Sequence, residues 1–200
     1  MQKNQEEYLS KKRAIELWDK ELINNIEVGT IKGLLDIYKY LFQDIFEFAG
    51  KIRDKNISKG YFRFAHVMYL ESNLEIIENM PENTFDEIIE KYVEMNVAHP
   101  FLEGNGRSTR IWLDLILKRN LGLCVDWSLI DKHEYLNAME RSPINDLEIK
   151  HILKSSLTND INNRQVYMRG IQQSYIYENQ YDYDINELKK HKKEDKGISR

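Results

Sequence analysis

The sequence lacks residues that several classes of protein need. Cys124 is the only cysteine, so no disulfide can form within the chain, which favours a reducing compartment. Nine glycines and three prolines in 200 residues are few for a β-sandwich or barrel and favour helices. The first twenty residues lack the apolar core of a signal peptide, and no run reaches the roughly 18 apolar residues of a membrane span. We therefore expect a cytoplasmic protein with no membrane partner.

The charge balance argues against one further class of partner. The net charge is −4 at pH 7, so no overall positive field attracts nucleic acid, and we expect no direct nucleic-acid partner. Hydrophobic residues make up 42% and charged residues 31% of the chain, which is typical of a globular protein with an apolar core. The length suits one domain. We place this domain at residues 1–184, followed by a charged tail at 185–200.

Apolar spacing predicts a protein built almost entirely from helices. A Ser-Lys-Gly turn between alternating side chains, within residues 57–62, predicts one short β-hairpin and is the only convincing strand signal. Thr30 and Thr84 supply helix N-caps, the latter with Glu87 three residues on, and Gly122 supplies a C-cap. The predicted fold class is therefore all-α with one hairpin. The predicted helices lie at about 5–23, 30–46, 65–79, 84–99, 107–120, 127–141, 146–156 and 163–184.

Residues 99–110, HPFLEGNGRSTR, concentrate groups that can bind a phosphate. The Gly-Asn-Gly run at 104–106 lies just before a helix, whose first amides have no partner in the helix and carry partial positive charge. Its glycines allow the backbone to approach a phosphate closely, and Arg107 and Arg110 can lean over the same side. Pro100 ends the preceding helix. The pattern predicts an anion-binding loop between two helices.

Two further side chains of this loop can take part in chemistry. Glu103 lies beside the predicted phosphate site, where a carboxylate typically holds Mg²⁺. His99 lies across the loop and can accept a proton near neutral pH. Each feature also has a structural interpretation, as a turn, a helix cap or a solvated charge, and Phe101 is interpreted as a core anchor. Their occurrence within twelve residues favours a functional site.

The loop resembles the signature of the Fic family, H-x-F-x-[D/E]-G-N-G-R-x-x-R, and fills every specified position. The chain from about residue 8 to 184 is similar to a Fic domain, with LFQDIFEFAGKIR before the family's target-positioning flap and ISKGYFRF as the flap. The resemblance implies a helical Fic-domain bundle. It also implies an enzyme that moves AMP from ATP, with Mg²⁺, onto a tyrosine, threonine or serine hydroxyl of a target protein.

The resemblance assigns roles by position. His99 would deprotonate the hydroxyl, Glu103 would hold Mg²⁺, and Phe101 would anchor the loop. Family members that act as kinases carry a lysine near the last glycine, and its absence here favours transfer of AMP over transfer of the γ-phosphate. The residues assigned to the phosphates are Gly104, Asn105 and Gly106 as the anion hole, with Arg107 and Arg110 against the β- and γ-phosphates.

A second motif lies in the last predicted helix. Ser174 and Glu178 are four residues apart on one helix face, and alone would be an ordinary surface pair. With Asn179 they resemble the inhibitory motif of the Fic family, [S/T]-x-x-x-E-[G/N], as carried by the subclass with a C-terminal inhibitory helix, class III. The resemblance implies that Glu178 pairs with Arg110 and occupies the space of the ATP γ-phosphate. Tyr175 is our candidate for a self-modification that releases the helix.

The predicted hairpin is either a target-docking flap or a small structural hairpin. As a flap, its open edge would bind an extended target segment through backbone hydrogen bonds and so position the hydroxyl. Lys59 would also contact the nucleotide. The residues of the predicted flap are Ile57, Ser58, Lys59, Gly60, Tyr61 and Phe62.

The sequence leaves the target and several alternative functions open. Relatives resembling this compact bacterial type act on type II topoisomerase subunits such as DNA gyrase, which makes such a subunit a candidate target. The same site could instead remove AMP from a modified protein, or transfer another phosphate-containing group. It could also serve a nucleotide-dependent binding module without turnover, although binding alone does not need a base at His99. A homo-oligomer that masks the inhibitory helix further also remains open.

Overall fold

The computed structural model describes residues 3–60 and 62–188, which form eight α-helices and two pairs of short strands. The all-α fold class is confirmed. None of the described helices combines the length and apolar character that crossing a membrane requires. Tyr61 of the predicted flap and residues 189–200 of the predicted tail lie outside the described residues. The helices are α1 Lys3–Asp19, α2 Ile31–Phe42, α3 Val67–Glu78, α4 Phe85–Ala98, α5 Asn105–Leu121, α6 Lys132–Arg141, α7 Leu147–Ser155 and α8 Arg164–Tyr177.

Helix α5 forms the centre of the fold. It packs against α2, α4 and α8, and its middle, residues 111–117, is buried almost throughout, as its apolar sequence predicts. Trp112 is fully buried, and its Nε1–H donates to the carbonyl of Thr30 at 3.1 Å, just before α2 begins. The side chains of α5 are therefore held against three neighbouring helices.

The predicted helix caps are confirmed. Thr30 Oγ1 accepts a hydrogen bond from the amide of Gly33 at 3.0 Å at the start of α2. Thr84 and Glu87 form a reciprocal capping box at the start of α4. Gly122 follows α5 with φ of 66°, a left-handed conformation that glycine adopts without strain.

The predicted hairpin is present, and a second strand pair accompanies it. Strand β1 (Ser58–Lys59) pairs antiparallel with β2 (Phe62–Arg63), which confirms the hairpin. Strands β3 (Cys124–Val125) and β4 (Leu157–Thr158) also pair antiparallel. This second pair was not predicted, because strands of two residues are too short to show an alternating pattern. This strand pair holds together the start and the end of the segment that contains α6 and α7.

The start of α5 differs from the prediction. The helix begins at Asn105, two residues before the expected Arg107. Gly104 precedes it with φ of 78°, and a methyl group there would lie 2.6 Å from Phe42, so this position requires glycine. Asn105 Oδ1 accepts from the amide of Phe101 at 2.8 Å, and Asn105 Nδ2 donates to the carbonyl of Phe101 at 2.7 Å. The Asn105 side chain thus closes the loop, and the helix begins two residues earlier than predicted.

The last helix also differs from the prediction. Helix α8 ends at Tyr177, seven residues before the predicted end, and Glu178 is its C-cap. Asn179 has a left-handed φ of 58°, and the amide of Gln180 donates to the carbonyl of Tyr175 at 3.0 Å. This is the Schellman pattern, in which asparagine can replace glycine. The asparagine of the predicted inhibitory motif therefore ends the helix directly after the glutamate.

Phe101 provides a test of the packing under the loop. Its side chain is fully buried and stacks on Tyr38 with ring centroids 3.8 Å apart. We expect Phe101→Ala to lower the free energy of unfolding by about 3–5 kcal/mol, because it leaves a cavity in the core. Thr84→Ala, which removes only a cap, should cost about 1 kcal/mol. Urea unfolding followed by circular dichroism measures both, and equal losses would contradict the anchoring role of Phe101.

Candidate active site

His99 lies at the end of α4, where the loop begins. It is the C-cap of α4, with φ of 49° and ψ of 64°, and this left-handed conformation turns the chain before Pro100. Its Nδ1 lies 3.3 Å from the carbonyl oxygen of Asn96, and its ring stacks on Phe64 with centroids 3.7 Å apart. An Nδ1–H that donates to this carbonyl leaves the lone pair of Nε2 available to accept a proton. The geometry suits the base that the sequence predicts.

The surroundings of His99 keep its ring neutral. Burial lowers the pKa of His99 to about 4, from the usual 6.5 for histidine. The positive charges of Arg53 and Lys59 act in the same direction, whereas the carbonyl of Asn96 and the charge of Glu178 act against it. At pH 7 the ring is therefore uncharged and able to accept a proton.

Arg53 holds His99 in place and was missed by the sequence reasoning. Its Nε–H donates to the carbonyl of His99 at 2.8 Å, and its Nη2 donates to the carbonyls of Ala98 and Ala65. Its Nη1 donates to the carbonyl of Lys55 at 2.7 Å. In the sequence, Arg53 is only an arginine between the second predicted helix and the hairpin. That position alone does not indicate a function.

The N-terminus of α5 forms a small positive site, which we call the anion cradle and define as the backbone amides of residues 105–107. The first hydrogen bond within α5 runs from the amide of Ser108 to the carbonyl of Gly104 at 3.1 Å, so these amides have no partner in the helix. A methyl group on Gly106 would lie 2.7 Å from Glu178 Oε1. Only a glycine leaves room for an acid so close to the helix end, and the Glu178 carboxylate occupies this position.

Arg110 is bonded by the two predicted members of the inhibitory motif. Its Nε–H donates to Ser174 Oγ at 2.7 Å, and its Nη2 donates to the carbonyl of Ser174 at 3.0 Å and to Glu178 Oε1 at 3.3 Å. Its guanidinium also lies over the ring of Tyr177, 5.1 Å from the centroid. The predicted pair of Arg110 and Glu178 is therefore present, with Ser174 as a second anchor.

Glu178 is ionised in this arrangement. Burial alone would raise the pKa of its carboxyl group, but the positive charges of Arg110, Arg107 and Lys59 outweigh that effect. The pKa of Glu178 consequently lies below its usual range. The carboxylate is charged at pH 7, as it must be to resemble a phosphate.

Arg107 is also paired with an acid, and this acid was not predicted. Its Nη1 donates to Glu6 Oε1 of α1 at 2.9 Å and to Gln180 Oε1 at 3.0 Å. Its guanidinium lies 4.6 Å from the centroid of Phe42 and 5.3 Å from that of Tyr175. Each arginine of the loop motif therefore faces a carboxylate from another helix region.

The segment after α8 is held by α1. Glu7 and Lys11 are both buried and form an ion pair of 2.7 Å. The carboxylate of Glu7 accepts the amides of Asp182 and Tyr183, each at 3.1 Å, and Lys11 Nζ donates to the carbonyl of Tyr183 at 2.6 Å. The first helix of the chain thus fixes the backbone that follows Glu178.

Glu103 is exposed at the lip of the loop, and partial burial of its carboxyl group raises its pKa above the usual range. Residues 3–60 and 62–188 contain no cluster of three histidines, cysteines or acids that could hold a metal ion. A metal here would therefore need ligands from elsewhere. Mg²⁺ fits this donor set, because it commonly binds one or two carboxylates together with substrate phosphates and water.

The predicted flap reaches towards the loop. The positive charge of Lys59 lowers the pKa of His99, Glu103 and Glu178. Its contact with a nucleotide stays a prediction. Among the flap residues, Ser58, Lys59 and Gly60 are exposed, whereas Ile57 and Phe62 are partly buried.

Tyr175 faces the interior. Its side chain is almost fully buried, and burial raises the pKa of its hydroxyl to about 12. The cations of Arg107 and Lys11 lie over its ring at 5.3 and 5.1 Å. The predicted self-modification of Tyr175 stays a prediction, and it requires α8 to leave this position first.

Comparison with known proteins identifies the family. The model of the Fic/DOC family matches residues 29–117, which include the hairpin and the loop. A probable protein adenylyltransferase Fic from Salmonella typhimurium is 30% identical over 137 residues, which cover 61% of this chain and 68% of the relative. The chain belongs to the Fic/DOC family.

The other relatives differ in length. The protein adenylyltransferase VbhT of Bartonella schoenbuchensis is 31% identical over 166 residues, covering 72% of this chain but only 34% of VbhT, so the chain spans about a third of that relative. A probable protein adenylyltransferase Fic from Escherichia coli is 29% identical and covered over 74% of its length.

Solved structures share the fold. The N-terminal Fic domain of a putative cell filamentation protein from Bartonella quintana, with bound ADP, aligns with a TM-score of 0.63 at 20% identity, over 79% of this chain and 84% of that one. BepC from Bartonella tribocorum, with bound AMPPNP, aligns with a TM-score of 0.57 at 20% identity, over 74% of this chain and 85% of that one. These alignments confirm the helical Fic fold.

The protonation of His99 can be measured directly. We expect its ring to titrate near pH 4 in the folded protein, because burial disfavours the charged form. Since the unfolded chain titrates near 6.5, only the unfolded state gains this proton between about pH 6.5 and 4, so the free energy of unfolding falls across that window. NMR titration of the histidine rings, with His99→Gln for assignment, measures the midpoint. A midpoint at 6.5 would contradict the buried, neutral ring.

Proposed function

We propose that this chain is a protein adenylyltransferase that moves AMP from ATP to a hydroxyl group of another protein, and that α8 holds it in an inhibited state. One observation carries the proposal. A neutral histidine and an anion cradle lie at the two ends of a single short loop, and the carboxylate of Glu178, the C-cap of α8, lies beside Gly106 and bonds Arg110. A base opposite a phosphate site is what activation of a hydroxyl requires.

The proposed reaction is a displacement at the α-phosphorus of ATP. The hydroxyl oxygen of the target forms a bond to this phosphorus, while the bond to the oxygen that bridges the α- and β-phosphates breaks and pyrophosphate leaves. The hydroxyl proton passes to Nε2 of His99. Negative phosphate charge beside the ring would raise the pKa of His99 from about 4 towards the working pH, which makes it a stronger base once nucleotide is bound.

The phosphates would be held by groups that now bind carboxylates. The anion cradle with Arg107 and Arg110 offers hydrogen-bond donors and positive charge where pyrophosphate gains negative charge, and such preorganised groups account for much of the catalysis in phosphoryl transfer. Glu103 would hold Mg²⁺ against the phosphates. When bound, Mg²⁺ supplies positive charge that neutralises the phosphate oxygens.

Inhibition is proposed to act by competition. Glu178 keeps 30% of its side-chain surface exposed, whereas Arg110 keeps 4%, so the carboxylate lies on the side from which a nucleotide would arrive. A phosphate cannot share the cradle with a carboxylate, because the two negative charges repel and need the same donors. Displacing Glu178 without a substitute would leave the Arg110 charge buried and unpaired, which is costly.

Release of α8 would also require α1 to give way. Glu6 is paired with Arg107, and the buried pair of Glu7 and Lys11 holds the backbone at 182–183. Separating these contacts exposes buried charges. We therefore propose that α1 and the segment after α8 act together as the inhibitory unit.

The proposed activity is tested by removing the competing carboxylate. We expect Glu178→Gly to raise the transfer of label from α-³²P-ATP to lysate proteins by at least about ten-fold over the unmodified chain, since the cradle becomes free. The same variant should transfer no label from γ-³²P-ATP. Purified DNA gyrase subunits are the first individual targets to examine, with mass spectrometry to locate AMP on tyrosine, threonine or serine.

One control and two contrary outcomes complete this test. His99→Ala in the Glu178→Gly background should abolish transfer, because no base remains. Label transferred from the γ-position would instead indicate a kinase. Tight ATP binding without any transfer would contradict an enzyme and favour a binding module.

The contribution of α1 is tested separately. We expect Glu6→Gln to raise AMP transfer several-fold, less than Glu178→Gly does, because Arg107 loses its competing carboxylate while Arg110 remains paired. Glu16→Gln is the matched control, because Glu16 is also on α1 but pairs with Arg13 and Lys20. Equal effects of the two α1 variants would refute a specific role for Glu6.

A further inference from the structure

The buried guanidinium of Arg53 is bonded to the protein backbone. Arg53 is 3% exposed, and each hydrogen bond that its side chain makes within the described part of the chain goes to a carbonyl oxygen. Burial lowers the pKa of Arg53 from its usual value. Carbonyl dipoles, rather than a carboxylate, therefore stabilise this charge, and two of them lie at the negative C-terminal end of α4.

These carbonyls belong to two functional segments. Ala98 and His99 form the end of α4 and carry the base, whereas Lys55 lies three residues before β1 and Ala65 two residues after β2. The backbone of Arg53 adds a further bond, from its amide to the carbonyl of Pro100 at 2.8 Å. One side chain thus fixes both ends of the hairpin relative to His99.

Two other contacts also connect the hairpin segment with the end of α4. The amide of Ala65 donates to the carbonyl of Val97 at 3.0 Å, and the ring of Phe64 stacks on His99. The hairpin segment and the base are therefore joined through Arg53, Ala65 and Phe64. A shift of the hairpin would move Phe64 and change the solvent exposure of the His99 ring.

We propose that Arg53 is a positioning residue, which sets the distance between Nε2 of His99 and a target hydroxyl docked on the hairpin. This inference rests on the proposed transfer activity and adds the residue that aligns its two partners. Arginine suits this role because its planar guanidinium offers five donors in a fixed geometry, whereas lysine offers three donors on a single nitrogen. Misplacement of reacting groups by about 1 Å can lower a rate by about 100-fold.

Arg53→Lys is the informative variant because it keeps the positive charge and removes the fork. The matched control is Arg119→Lys, because Arg119 also donates to a backbone carbonyl, that of Val28, and pairs with Glu82 away from the loop. Arg53→Gln is the second variant, used if Arg53→Lys unfolds below the assay temperature. Only its kinetics are compared, because loss of the Arg53 charge alone raises the pKa of His99. Melting temperatures of all variants are measured first.

The first measurement is the titration of the His99 ring by NMR, which needs no transfer activity. We expect Arg53→Lys to raise the pKa of His99 by about one unit or more, because a loosened hairpin lets water reach the ring. Arg119→Lys should leave it unchanged. An unchanged His99 titration in a folded Arg53→Lys protein overturns the proposal.

The second measurement is transfer kinetics in the Glu178→Gly background. We expect Arg53→Lys to lower kcat by about 10–100-fold while KM for ATP stays within about two-fold, because alignment is lost but the anion cradle is untouched. A changed KM with an unchanged kcat overturns the proposal, as does unfolding of both Arg53 variants, which would make Arg53 a residue of the fold alone. If the parent transfers no AMP, the proposed function fails while the NMR titration still decides the role of Arg53.

Discussion

The positive end of α5 is the constraint on which the rest of the structure depends. Three amides without helical partners and the guanidinium groups of Arg107 and Arg110 converge there, and such a concentration of positive charge needs an anion nearby. In the described state Glu178 and Glu6 supply it, from opposite ends of the chain. α1 and the end of α8 each bring one of these carboxylates to the site, and under the proposed inhibition a nucleotide would have to replace them.

The loop before α5 is fixed by both local and distant contacts. Asn105 bonds both backbone groups of Phe101, Gly104 turns the chain where a side chain would strike an aromatic ring, and Phe101 packs into the core. The bonds between Asn105 and Phe101 span four residues, whereas Phe42 and Tyr38 reach the loop from α2. The sequence therefore shows the loop motif but not all of the contacts that hold it. The capping residues could be predicted because each acts on residues a few positions away. The pair of Arg110 with Glu178, 68 residues apart, could be predicted only from the resemblance to the inhibitory motif of the Fic family.

What the sequence could not reveal depends on distant contacts. Glu6 lies about a hundred residues from Arg107, and Arg53 bonds carbonyl oxygens, which every residue possesses and no pattern distinguishes. The early end of α8 had a local cause, since Asn179 adopts a left-handed conformation, but asparagine is compatible with helix as well and so gave an ambiguous signal. The paired strands β3 and β4 are too short for any periodicity.

The attachment of Glu178 to the same chain has a consequence for how such a site responds to its surroundings. A tethered carboxylate meets the cradle at a local concentration set by geometry, and not by its amount in solution. Under the proposed inhibition, a dissolved nucleotide would compete with this fixed local concentration, and modest changes in nucleotide concentration would change occupancy little. The site would then respond to the position of α8 against α1 and α5 more than to the concentration of nucleotide.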